Sequence, residues 1–294
     1  MLDNRTLTFL TVCQEMNYTR AAEKLHITQP AVSQHIQYLE EYYGVKLFRF
    51  SGKRMFLTAE GVLLEKSLSS LRNNELYLKE QLKFMTDKKR TLHFGSTLTV
   101  GEFMIAAPLS AFLRRHKNAD VSVTVANTKE LLHKLDLGDI DFAILEGDYP
   151  ETLYAHTPYL VDNFIPICSP DYHFSHTPHN LSDLTGENLL LREEGSGTRS
   201  ILERALANHH ISFADFKHVV TVGNMHAIKD MVIAGCGITF LYETAVRKEL
   251  ETNVLCRIPI DDFFLRHEIS IVWAKDNLFS NSFQELFTEL FQIS

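Results

Sequence analysis

No apolar run in these 294 residues approaches the roughly 20 that a membrane-spanning helix needs, so no membrane partner is expected. The amino terminus has no basic stretch followed by an apolar one, which argues against a signal peptide. The four cysteines, Cys13, Cys168, Cys236 and Cys256, are dispersed, and no C-x-x-C pair occurs. A disulfide framework or metal cluster is therefore not expected, and a reducing cytoplasm fits. The 14 histidines are scattered too, and the adjacent His209 and His210 cannot converge on a metal from one helix end. Catalytic signatures are missing: no nucleophile elbow, no H-E-x-x-H, no phosphate loop closing on Gly-Lys-Ser/Thr. Nothing places a base beside a nucleophile, so neither an enzyme nor a resident cofactor is expected.

Hydrophobic residues make up 45% of the chain, enough for two or three real cores at this length. The net charge of -8 is unevenly spread. Residues 1–90 carry 14 Lys+Arg against 10 Asp+Glu, or +4; residues 91–294 carry 15 against 27, or -12. A basic module thus precedes an acidic body, which suits a polyanionic partner at one end only.

The basic module contains two short helices joined by a tight turn across residues 19–40. Phe9, Leu10 and Cys13 give an apolar stripe to a preceding helix, and Ala21, Ala22 and Leu25 do the same for the next. Thr28 stands where an N-cap belongs, with Pro30 in the first turn. Val32, Ile36 and Leu39 share one face of the last helix. At about 100° per residue, Pro30, Gln34 and Gln37 point the other way with Ser33 beside them. Gln pairs bidentately with adenine, Ser bonds a base or a phosphate, and a helix amino terminus suits phosphate. Two strand-like runs then flank Ser51-Gly52, with Arg49, Lys53 and Arg54 at the tip, like a basic wing. Thr28, Gln29, Pro30, Ser33, Gln34, Gln37, Arg49, Lys53 and Arg54 are the candidate contacts to double-stranded DNA.

The run Ala21-Ala22-x-x-Leu25, then Gln29-Pro30-Ala31-Val32-Ser33, Leu39-Glu40, Leu47-Phe48 and Leu57-Thr58-x-x-Gly61, resembles the amino-terminal signature of LysR-type transcriptional regulators. The resemblance implies a winged helix-turn-helix over residues 1–58. One departure stands out. The family usually carries Arg two residues after the Phe of its Leu-Phe pair, where this chain has Phe50, preceded by Arg49. Which wing cation reaches the DNA stays open.

From Ala59 to about Thr86 there is no proline and one glycine, Gly61. Leu64, Leu68, Leu71, Leu78, Leu82 and Met85 are spaced as a heptad seam with Glu75 in the missing position. A linker helix and hinge over 59–90, with Asp87-Lys88-Lys89-Arg90 as the hinge, would pair two chains, as in the resembled family. The alternative is that the stripe packs on the chain's own body. A homodimer or homotetramer is expected, since paired readers need twofold symmetry.

Beyond residue 90 strand and helix patterns alternate, which predicts an α/β sheet with helices on both faces. Strands are expected at 92–94, 121–125, 141–145, 163–168, 188–192, 218–223, 237–241 and 268–274. Helices are expected after Thr99 as far as His116 and over 128–137, 198–209, 225–234 and 281–292. Ligands in such sheets lie at the carboxyl ends of the strands. Ser96, Thr97, Thr99, Thr128, Ser196, Thr198, Arg199 and Asn224 fall there. Glu146 and Gly147 follow another strand. Hydroxyls and a fixed guanidinium at helix starts suit a small anionic metabolite. Each Ser, Thr or Asn alone is as well explained as a helix cap. The Gly195-Ser196-Gly197-Thr198-Arg199 segment is harder to explain that way, because two glycines permit close approach of a ligand.

The resemblance continues through this body. Gly95-Ser96-Thr97-x-Thr99-Val100-Gly101, Asp141-x-Ala143-Ile144 and Gly235-x-Gly237-Ile238 are similar to family landmarks. The Glu-Gly-Ser-Gly-Thr-Arg run with Asn127-Thr128 resembles the branch that regulates carbon fixation and sulfur assimilation. The family's effector domains are two-lobed like periplasmic binding proteins. That implies a domain over 91–294, with lobe one at 91–160 and 268–294 and lobe two at 161–267. The expected function is transcriptional regulation switched by a bound metabolite, with RNA polymerase as a further partner if the chain activates. A free-standing solute receptor would not need the reader, and a purely architectural DNA binder would not need the acidic body.

Overall fold

A computed structural model describes residues 2–52, 54–87, 90–275, 277 and 280–291. Lys53 of the wing and the hinge residues Lys88 and Lys89 lie outside the described residues. The chain divides into two compact units. One is Met1–Lys88 with Asp136–Asp139 and Asp276–Phe279; the other is Lys89–Leu135, Ile140–Lys275 and Ser280–Ser294.

The first unit begins with three helices: α1 (Asn4–Glu15), α2 (Tyr18–Leu25) and α3 (Gln29–Tyr43). Each is capped by a side chain that satisfies first-turn N–H groups. Asp3 accepts from Thr6, Asn17 from Thr19 and Arg20, and Thr28 from Ala31. Phe9, Val12, Ala21, Val32, Ile36 and Leu47 are buried together, so the two alanines do allow close crossing. Strands β1 (Phe48–Ser51) and β2 (Arg54–Leu57) pair antiparallel with Arg49 opposite Phe56.

Helix α4 spans Ala59–Asp87. The heptad expectation needs correction at its first two positions. Leu68 is buried in the reader's core and Leu64 packs against it, so those two leucines are used within the chain. Leu71, Leu78 and Leu82 are exposed at 55%, 45% and 55%. Glu75 accepts a hydrogen bond from the Leu2 N–H and pairs with Lys79 one turn on.

In the second unit, β3 (Thr91–Ser96) lies between β4 (Asp120–Val125) and β5 (Phe142–Leu145), parallel to both. The long strands β6 (Tyr154–Cys168) and β11 (Leu265–Ala274) run antiparallel along the whole of β11. They join two α/β halves. In one half β11 pairs with β5; in the other β6 pairs with β9 (Thr239–Tyr242) and β10 (Cys256–Arg257). Their register shifts at Ile269/Ser270, where Leu160 and Pro158 are the partners and Tyr159 is the extra residue. Parallel β7 (Asn188–Leu191) and β8 (His218–Thr221) complete the second half.

Helices α5 (Leu98–Phe103), α6 (Ala106–Arg115), α7 (Thr128–Leu137) and α11 (Ser280–Phe291) belong to the first half; α8 (Gly197–Asn208), α9 (Met225–Ile233) and α10 (Glu243–Glu251) to the second. Phe94, Phe142, Trp273, Phe283 and Phe287 stack as the aromatic core under α11. Two expectations shift. The single helical stretch expected up to His116 is two helices, broken at Met104–Ile105, and β6 begins at Tyr154 rather than at 163.

The dispersed cysteines are not all apart in space. Cys168 and Cys256 face each other across β6 and β10 as thiols, sulfurs 3.4 Å apart. Burial, with the Cys256 contact, pushes the Cys168 thiol up.

Candidate functional site

On α3, Thr28, Gln29, Pro30, Gln34 and Gln37 are exposed and Ser33 is half-buried. The helix thus presents the polar face that its spacing predicts. Its amides are not equivalent. Gln29 donates to the Ser33 hydroxyl at 2.9 Å and Gln37 to Glu41 at 2.8 Å. Gln34 has no such partner among the described residues, so its amide is left unengaged on that face. Arg49 and Arg54 are exposed on the wing. The Arg49 guanidinium lies over the Phe56 ring, 5.1 Å from its centroid. Phe50, where the family's Arg is expected, is 64% exposed, with its ring 6.4 Å from that of Tyr18.

The second unit holds a different arrangement. Ser96, Thr97, Thr99, Thr128, Ser196 and Thr198 are all buried. Three of their hydroxyls meet on one group that the donor reading did not include, the carboxylate of Glu146, itself 2% exposed. Thr97 donates to Oε2, while Thr99 and Thr198 donate to Oε1 at 3.0 and 3.2 Å. Thr128 donates to the Glu146 backbone carbonyl at 2.9 Å. Thr97 and Thr99 belong to the first half and Thr198 to the second, so the carboxylate bridges them. The Ser96 hydroxyl is buried without a partner, and Ser196 makes no side-chain cap bond.

Two residues take other places. Asn224 is exposed and caps α9 by accepting from the Ala227 N–H. Arg199 was expected to face the hydroxyls. Its guanidinium donates instead to the Arg192 carbonyl at 3.2 Å and lies over the Phe213 ring. The buried guanidinium is that of Arg192, held in a fork by Glu193 at 2.7 and 2.8 Å. The glycines serve the chain's own packing. A side chain at Gly197 would overlap the Glu146 carbonyl, and one at Gly147 would crowd the Gly197 backbone. The close approach these glycines permit is of one half to the other.

Further contacts close the same seam. Arg204 pairs with Asp148, His226 with Glu102 at 3.3 Å, and the Lys229 ammonium sits 4.7 Å from the Phe103 ring centroid. Lys229 also donates to the Ala245 carbonyl. The Tyr242 hydroxyl lies 3.0 Å from His267 Nδ1. Burial holds that phenol well above its usual range, and Glu146 and Asp162 add to the effect. Burial, then Arg204, lowers the His267 imidazole. Sequence reasoning missed Glu146, Tyr242 and His267 as neighbours; only the position of Glu146 at a strand end signalled it.

A capped, winged reader beside a two-part α/β body defines a DNA-binding transcriptional regulator with an effector domain. The sequence matches the bacterial regulatory helix-turn-helix of the lysR family over residues 4–62 and the LysR substrate binding domain over residues 86–292. The chain belongs to the LysR-type family. It is 28% identical over 272 residues to the HTH-type transcriptional regulator CysL of Bacillus subtilis, covering 90% of this chain and 88% of that one. It is also 28% identical over 272 residues to the RuBisCO operon transcriptional regulator of Allochromatium vinosum, covering 91% and 88%. In fold it is similar to ArgP from Mycobacterium tuberculosis, with a TM-score of 0.70, 18% identity, and 99% and 97% of the two chains covered. These domains and relatives are regulators of transcription, not enzymes.

Proposed function

We propose that this chain is a sequence-specific regulator switched by a small, anionic metabolite bound between two lobes of its C-terminal domain. In this reading residues 1–58 read DNA, 59–90 link and dimerise, and 91–294 receive the effector. Lobe one comprises 91–160 and 268–294, and lobe two 161–267. Gln34 reads a base edge with Ser33 and Gln37 beside it. Gln29, Pro30 and Thr28 meet the backbone at the helix start, and Arg49, Lys53 and Arg54 hold phosphates from the wing. The unengaged Gln34 amide on an exposed polar face is the observation that carries the reader assignment.

Two chains associate through α4 around Leu71 and Leu78, exposed leucines one heptad apart. The regulator acts in the cytoplasm on double-stranded DNA, contacts RNA polymerase where it activates, and needs no cofactor. Convergence of Thr97, Thr99 and Thr198 on a carboxylate supports an anion as the effector. Similarity to a RuBisCO operon regulator, with the resemblance to the carbon-fixation and sulfur-assimilation branch, puts carbon and sulfur metabolites first among candidates. A gel shift with DNA from upstream of its own coding region tests the reader. A thermal-shift screen of carboxylates, sugar phosphates and sulfur metabolites tests the effector class. Stabilisation by cations alone would exclude an anionic effector.

A further inference from the structure

The hydroxyls that an anionic effector would need are already in use. Thr97, Thr99 and Thr198 all donate to the two oxygens of Glu146, and no Lys or Arg forms an ion pair with it among the described residues. Buried carboxylates are ordinarily paired with a cation or supplied with several donors. Here the donors come from both halves of the domain, so they surround a point in the seam rather than one helix end. The backbone leaves little slack, since Thr128 anchors the Glu146 carbonyl and Gly197 packs on it. The side chain beyond that anchor is the part that can turn away. A second carboxylate brought against Glu146 would compete for the same three hydroxyl donors. Two anions cannot share this cradle.

We propose that Thr97, Thr99 and Thr198 form a carboxylate-binding cradle whose resident occupant is Glu146, and that a carboxylate effector enters by displacing that side chain. The chain thus carries an internal competitor that sets the effector concentration needed for switching. This rests on the reading of the C-terminal domain as an effector domain and names the ligand class at one subsite. It also places a cost on entry, because the apparent affinity falls with the fraction of molecules whose cradle is vacated.

Acetate serves as the probe, with sulfate and methylammonium as comparisons, on full-length wild type and Glu146→Ala followed by thermal melting. Glu146→Ala leaves a cradle with its donors unmet, and acetate should fill it saturably, raising the melting temperature by roughly 2–4 °C. Wild type should not move at the same concentrations, and Thr97→Val added to Glu146→Ala should abolish the effect. Equal acetate responses in wild type and variant, or none in the variant, overturn the proposal. Methylammonium stabilising wild type and not the variant also overturns it, since Glu146 would then receive a cation. If Glu146→Ala fails to fold, Glu146→Gln replaces it, because an amide competes less well for hydroxyl donors. Acetate must then act at lower concentration on Glu146→Gln than on wild type, and equal concentration dependence overturns the displacement. Upstream-DNA binding measured on the same samples separates the outcomes. Intact DNA binding with a failed acetate arm removes the cradle and leaves the regulator reading in place.

Discussion

The reader and the effector domain handle polar groups in opposite ways. On α3 the amide of Gln34 and the wing guanidiniums face solvent, and Gln34 has no partner within the chain among the described residues. In the effector domain the hydroxyls of Thr97, Thr99 and Thr198 are buried and bonded to the Glu146 carboxylate. A duplex is large, rigid and already hydrated, so its reader can wait with side chains in water. A small metabolite must be surrounded, and polar groups buried for that purpose need partners. The same residue types therefore mean different things at the two ends.

The largest effect is expected at α4. Leu71→Lys with Leu78→Lys should give monomers by light scattering and weaken operator binding at least about a hundredfold, through loss of the linked second contact. A dimeric double variant would place the seam elsewhere. Next, Gln34→Ala should cost about 1–3 kcal/mol of discrimination against mismatched sites. Arg54→Ala should lower affinity evenly across sequences and reduce the salt slope by about 0.9. Uniform weakening by Gln34→Ala would remove its base-reading role.

On the other side, Gly197→Ala forces a methyl against the Glu146 carbonyl. Overpacking of this kind costs about 1–3 kcal/mol, and here it should separate the halves. Thermal melting together with small-angle scattering would register both, and an unchanged, equally stable domain would contradict the close packing. His267 gives a smaller effect. Its folded value lies below its unfolded one, so the neutral form is favoured by folding. The corresponding stability is full above the unfolded value of about 6.5 and is lost as pH falls through the lowered folded value. His267→Gln should flatten the decline in stability on acidification between those two values. Smallest of all, Arg199→Ala should cost about 0.5–1 kcal/mol of stability through its contact with Phe213. Effector binding should survive, because the guanidinium is engaged away from Glu146.

These differences explain what could be read in the sequence. The cap Thr28, the buried stripe Val32–Ile36–Leu39 and the exposed Gln34 are set within a few residues of one another, and local rules capture them. Heptad spacing located the stripe on α4 but not its partners, because Leu64 and Leu68 meet a core assembled from distant helices. Likewise β6 looked short because its first ten residues mix buried and exposed positions, and its pairing with β11 is set more than 100 residues away. Glu146 was visible as a residue at a strand end. Its bonds to Thr97, Thr99 and Thr198 span 49, 47 and 52 residues, beyond any spacing rule. Arg199 shows another limit of position, since its side chain also meets Phe213 and the Arg192 carbonyl, contacts that helix placement alone does not reveal.

The most direct test of the regulator itself is fluorescence anisotropy of the full chain on DNA from upstream of its own coding region, across a salt series. If paired readers make about 6–10 phosphate contacts, affinity should fall by roughly 10³–10⁵ between about 50 and 200 mM salt while preference over scrambled DNA persists. Affinity that is flat with salt, or equal for scrambled and upstream DNA in wild type, would contradict the account.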